Sequence, residues 1–324
     1  MSFVLTFLAQ QAEQDGFLSF LDKQPAILIV YAVLLGMFFG SFLNVVVYRL
    51  PRRCLSINNP RRSFCPNCKH QLAAIDNIPV LSWVWLRAKC RYCKLPISVR
   101  YPLVEATTGA LFGLTVWRTL LESHTLHEPM AWLTCAAILL MILVLVPIAL
   151  IDADLTVIPD ELSLGSLILF IPLAANPGAM QFGLSTKLNP LMFTSMGWPL
   201  WLNSMLSAVA TGLAASLFLW LMGKVANVIF AKRAAEMGGE AMGFGDVKLM
   251  MLLGVTLGWP KLVVGFFIAV FIGASFGLAL RLTRKQIGLP FGPSLVVGAL
   301  GSMLFAKELS LLVDMYLKLL TGEP

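Results

Sequence analysis

The sequence predicts an all-α polytopic membrane protein of about eight transmembrane helices, with a cytoplasmic, zinc-knuckle-like loop of four cysteines after the first helix. Three observations predict it. The chain is 58% hydrophobic with a mean hydropathy of +0.82. Only 13% of its residues are charged, against about 25% in soluble globular chains. Several apolar runs approach or exceed the roughly 20 residues that a spanning helix needs.

The first 24 residues lack the basic start of a cleaved secretory signal and read as a short non-cytoplasmic lead-in. A first span follows over about 25–48, with Gly36, Gly40 and Ser41 of the small type that packs membrane helices closely. Asn44 inside it needs a partner, and an interhelical hydrogen bond is the expected one. Residues 49–101 form the long polar loop, with eleven Lys/Arg and one acid, Asp76. Further spans are expected over about 102–121, 130–151, 162–175 (interrupted by Pro172), 199–230, 247–259, 262–282 and 290–305, with an amphipathic tail to 320. The organisation divides into residues 1–101, the first helix and cysteine loop, and residues 102–324, the remaining membrane helices.

Orientation follows from the basic residues near span ends. With the N-terminus outside, four loops (49–101, 152–161, 231–246 and 281–290) face the cytoplasm and hold sixteen of the 24 Lys/Arg, whereas the opposite loops hold two. The net charge of +7 is thus explained by basic loops against anionic membrane lipid, with no nucleic acid required.

Carboxylates at membrane boundaries are functional candidates by default. Asp152 ends the third span, the chain crosses twice, and Asp246 begins the sixth, so the two aspartates share one face. Two carboxylates in one site divide a proton, so that one activates water and the other polarises a carbonyl, which is aspartyl protease chemistry. Gly243 and Gly245 before Asp246 permit close backbone approach. Asp154 is a supporting residue or plain loop, Lys248 a supporting residue, and Asp160 reads as an N-cap for the fourth span. A proton-relay transporter would place its carboxylates near mid-membrane instead of at one face.

Cys65-Pro-Asn-Cys68 and Cys90-Arg-Tyr-Cys93, with 21 residues between the pairs, have the spacing of a tetrahedral zinc site. A reducing cytoplasm disfavours disulfides there. Cys54 and Cys135 read as inert, and His70, His124 and His127 as surface residues.

Taken together these residues resemble the type IV prepilin leader peptidase/N-methyltransferase family, one of the Gly-x-Gly-Asp membrane aspartyl proteases. The resemblance rests on Gly40-Ser-Phe-Leu-Asn-Val-Val-Val-Tyr-Arg-Leu-Pro51, both cysteine pairs, Asn77-Ile-Pro79 and Arg100-Tyr-Pro-Leu-Val-Glu105. It extends to Ile151-Asp-Ala-Asp154, Ile158-Pro-Asp160, Gly243-Phe-Gly-Asp-Val-Lys248 and Pro290-Phe-Gly-Pro293. It implies cleavage of the leader from prepilins and type II secretion pseudopilins at the cytoplasmic face of the bacterial inner membrane, with Asp152 and Asp246 catalytic. It further implies N-methylation of the new terminus with S-adenosyl-L-methionine by the half that holds the cysteine loop. Relatives often carry glycine just before the second cysteine pair, where this chain has Ala88.

Overall fold

The computed structural model describes residues 16, 18, 21–52, 63–175, 198–229, 243–282, 290–309, 311 and 315. Most of the lead-in, Cys54, the 176–197 connection, most of the loop before Gly243, residues 283–289 and the end of the tail lie outside the described residues. Nine α-helices are described: α1 (Pro25–Arg49), α2 (Leu81–Trp85), α3 (Arg100–Val116), α4 (Pro129–Leu155), α5 (Asp160–Ser163), α6 (Leu167–Ala174), α7 (Leu200–Ile229), α8 (Phe244–Leu282) and α9 (Gly292–Leu304). Extended pairing among the described residues is limited to two isolated bridges, Phe64 with Gln71 and Lys89 with Pro96. Among the described residues, four helices are long and apolar enough to cross a membrane: Pro25–Arg52, Pro129–Leu155, Leu200–Ile229 and Phe244–Ala279. This is a helical membrane protein.

The described chain forms two compact units, residues 1–139 and 140–324, and the division falls within α4. In the first unit α1 packs on α3 through facing small residues. A Cβ on Gly36 would lie 2.7 Å from Phe112 Cβ, and one on Gly109 would lie 2.9 Å from Val33 O. Side chains there would force the helices apart. Asn44 Nδ2 donates to Tyr101 O at 3.2 Å, so the polar group inside α1 does bond to the start of its partner helix. A π-helical turn over Trp117–Leu121 ends α3.

In the second unit α8 is the spine. Gly258, at φ +68° with Pro260 two residues on, breaks it into two helices, close to the boundary expected between the segments 247–259 and 262–282. The first half packs on α7, where a Cβ on Gly254 would lie 2.6 Å from Gly212 Cα, and Ser216 Oγ donates to Val247 O at 3.0 Å. The second half packs on α9 around Gly265 and Gly298. The stretch expected to be a fourth span is in two pieces: a single turn, α5, then the eight residues of α6.

Candidate functional site

The sequence-predicted residues fall into two clusters, one in each unit. In the second, α4 carries Asp152 in its last turn. The helix stops because Thr156 turns to φ +53° and donates its N–H to Asp152 O at 2.8 Å, a left-handed helix end. The Asp152 carboxylate is buried, 5% exposed, and Oδ2 accepts the Gly292 N–H at 3.0 Å. Gly292 opens α9, and a Cβ there would lie 2.5 Å from that same oxygen. A side chain there would have to displace the carboxylate or the start of α9.

Asp246 lies in the first turn of α8, partly buried, its N–H bonded to Gly243 O at 3.2 Å. It sits within electrostatic reach of the Asp152 charge. Gly245 brings this turn against the 156–160 segment, since a Cβ there would meet Ile158 Cβ at 3.1 Å. One turn along, Lys248 Nζ donates to Asp160 Oδ1 at 2.6 Å. Asp160 is therefore not the expected N-cap. It is the first residue of α5, makes no side-chain cap, and gives its carboxylate to Lys248 instead. Asp154 is exposed on the final turn of α4. The residue that sequence reasoning missed is Gly292. Its signal was Pro290-Phe-Gly-Pro293, a glycine held between prolines at the start of an apolar segment.

In the first unit the four cysteines converge, with their sulfur atoms all within 4.8 Å of one another and Cys65 Sγ 3.9 Å from Cys93 Sγ. Zn–S bonds of about 2.3 Å imply S···S edges of about 3.8 Å, which the Cys65–Cys93 edge matches, and the four sulfurs together could hold a metal ion. The two pairs sit on equivalent backbone loops. Cys65 N–H donates to His70 O (2.9 Å), Lys69 N–H to Cys65 O (2.9 Å) and Leu72 N–H to Ser63 O (2.9 Å). The same bonds recur 25 residues on, from Cys90 to Leu95 O (2.8 Å), Lys94 to Cys90 O (3.0 Å) and Ile97 to Ala88 O (2.7 Å). Lys69 and Lys94 occupy the same left-handed position in each knuckle, at φ +60° and +61°.

Hydrogen bonding to the Leu95 backbone pulls the Cys93 thiol down, but burial and the other three sulfurs outweigh it and push it up to about 11. Four thiolates this close need a cation to hold their charge. Arg91 Nε and Nη2 each reach Asp76 Oδ1 at 2.7 Å, which anchors the second knuckle. Trp83 Nε1 donates to Ile97 O at 3.0 Å, and Val80 N–H donates to Glu105 Oε2 at 2.7 Å, tying the module to α3. His70 stacks on Tyr92, with centroids 3.6 Å apart, and His127 Nε2 lies 2.7 Å from Asp22 Oδ2. Cys135 is buried in apolar packing.

The described residues thus define a helical membrane protein with a carboxylate site around Asp152 and a four-cysteine knuckle pair. Two family models match in sequence order: the bacterial peptidase A24 N-terminal domain over residues 34–119 and the type IV leader peptidase family over residues 137–278. The chain belongs to the type IV leader peptidase family. A prepilin leader peptidase/N-methyltransferase of Aeromonas hydrophila is 34% identical over 302 residues, covering 86% of this chain and 90% of that protein. Proteins of the same name from Stutzerimonas stutzeri and Pseudomonas aeruginosa are 33% and 32% identical, each covering 90% of this chain and respectively 95% and 96% of the relative. No solved structure matches the chain.

Proposed function

We propose that this protein cleaves the leader from type IV prepilins or type II secretion pseudopilins and then N-methylates the new terminus, as its relatives' name describes. The observation that carries the peptidase half is the buried Asp152 carboxylate, fixed by the Gly292 N–H and facing the field of Asp246. The pair shares one proton. The ionised member takes a proton from water as it attacks the scissile carbonyl, while the protonated member donates to the carbonyl oxygen. Lys248, through Asp160, and Gly245, through Ile158, hold the start of α8 against the segment that follows α4. Gly243, beside the Asp246 carboxylate, leaves room for an extended substrate backbone.

Residues 102–324 carry the peptidase share and residues 1–101 most of the methyltransferase share. The four cysteines hold a structural zinc that fixes the two knuckles. S-adenosyl-L-methionine supplies the methyl group, and the protein works in the bacterial inner membrane. The basic loops support eight crossings, a non-cytoplasmic N-terminus and an active site at the cytoplasmic face.

The test is to incubate the detergent-purified protein with a synthetic prepilin and S-adenosyl-L-methionine and weigh the products. Loss of the leader plus the mass of one methyl is expected. Asp152→Ala and Asp246→Ala should each abolish cleavage while the protein remains in the membrane fraction. Full cleavage by either variant would refute the aspartate pair.

A further inference from the structure

We propose that the methyl-transfer site is a cavity of about 330 Å3 in the first unit, walled by α1, the cysteine module and the start of α3, with Asp76 as the residue that holds the methyl donor. This rests on the methyltransferase reading above and assigns it a place. The volume lies in the range of about 300–1,000 Å3 used by small-molecule sites. Tyr48, Arg49, Asp76, Trp83 and Glu105 are among its lining residues, whereas Asp152 and Asp246 are not.

Asp76 shows that this wall is built to receive something. Its side chain is 1% exposed, and Oδ1 takes both contacts from Arg91. Oδ2 is buried and has no hydrogen-bond partner. Buried polar atoms in native proteins are nearly always paired, so an orphaned carboxylate oxygen on a cavity wall marks a missing donor. Glu105, the second acid on the wall, is already engaged by the Val80 N–H and the Ser41 hydroxyl. The free acceptor is therefore Asp76 Oδ2, and its ligand must bring an N–H or O–H.

The lining also matches the charge of a sulfonium nucleoside. Asp76 and Glu105 favour a cationic centre, and Trp83 and Tyr48 offer aromatic surface to it. Arg49, itself 3% exposed, supplies positive charge for the donor's carboxylate. The bound donor gives up a methyl group: its S–CH3 bond breaks onto sulfur, the amine lone pair forms the N–CH3 bond, and the surplus ammonium proton leaves to solvent. Asp76 contributes binding and orientation of the donor. The cysteine module holds Asp76 in place through Arg91, which sits within the second knuckle.

The test is calorimetric titration of the full chain in detergent with S-adenosylhomocysteine, a probe that is not turned over. Cleavage and zinc content are measured on the same samples. The wild type should bind saturably. Asp76→Asn should weaken binding at least tenfold, and Ser82→Trp, which fills the cavity from α2 without changing charge, should do the same. Both should keep wild-type cleavage and zinc. Wild-type affinity in both variants would overturn the cavity assignment and leave the methyltransferase reading standing. A wild type that cleaves but neither binds the probe nor methylates would remove that reading and this proposal together.

Discussion

Gly292 acts on the Asp152 carboxylate through nothing but its backbone. Its N–H fixes Asp152 Oδ2 at 3.0 Å, and a methyl group on its Cα would lie 2.5 Å from that oxygen. Gly292→Ala must push away either the carboxylate or the start of α9. A displacement of about 1 Å in a reacting group can cost about 100-fold in rate, so we expect a loss of that order in leader cleavage, with unchanged membrane yield. A wild-type rate for the variant would show that the contact is dispensable. The Lys248–Asp160 pair is weaker, because the two side chains are 23% and 59% exposed. Exposed pairs contribute about 0.2–1 kcal/mol, which sets the scale of its effect on stability. Lys248→Ala should therefore lower cleavage less than tenfold, and adding Asp160→Ala should lower it no further. A double variant markedly worse than either single one would mean that the residues act separately. Asp152, Asp246 and the cysteines could be proposed from the sequence because their chemistry resides in the side chain. Gly292 stood only within the Pro290-Phe-Gly-Pro293 motif and was given no role, because every residue but proline carries an N–H and only the fold says which one is used.

At the scale of elements, the two knuckles show what spacing conveys and what it conceals. Cys-x-x-Cys twice predicted convergence of four thiols, and they converge. The 25-residue backbone repeat that brings them together was invisible, because it is written in main-chain hydrogen bonds and only the cysteines and the lysine after each pair recur. Ala88 illustrates the same point. The sequence shows only an alanine where relatives often carry glycine, whereas the structure gives the residue φ +58°, in the left-handed region that favours glycine. An L-residue there costs about 1–2 kcal/mol, partly offset by the greater freedom of an unfolded glycine. Ala88→Gly should therefore stabilise the module by up to about 1 kcal/mol, read as slower loss of zinc to a chelator. Faster loss would refute the strain argument. Among the membrane helices, the hydropathy made the break in α8 legible, since separate segments were expected over 247–259 and 262–282, on either side of the turn at Gly258 and Pro260. The same hydropathy concealed the division of the fourth segment into α5 and α6.

Across the whole molecule, polarity and compactness draw different lines. The sequence changes character at residue 101, where the basic loop ends, but compactness groups α3 with α1, because Gly36, Gly109 and Gly113 bring those helices into contact. The periodicity of isolated glycines does not say which helix each will meet, so this pairing was not legible beforehand. The division into units predicts how the two activities respond to metal. Cys65, Cys68, Cys90 and Cys93 belong to the first unit, and Asp152, Asp246 and Gly292 to the second. With the Cys93 thiol pushed up to about 11, metal entry at neutral pH must release protons, so zinc affinity rises with pH and falls on acidification. A strong chelator at mildly acidic pH should therefore strip the metal. Without it the knuckles lose the closure that holds Asp76 and the cavity wall, and methylation should fall at least tenfold. Cleavage, assayed on the same sample after return to neutral pH with the chelator present, should stay within about twofold of its starting rate, because none of its groups lies in the unit that zinc closes. Zinc added back should restore methylation. Parallel loss of both activities would mean that the metal supports the protein as one folding unit, and the division of labour drawn from the two clusters would be wrong.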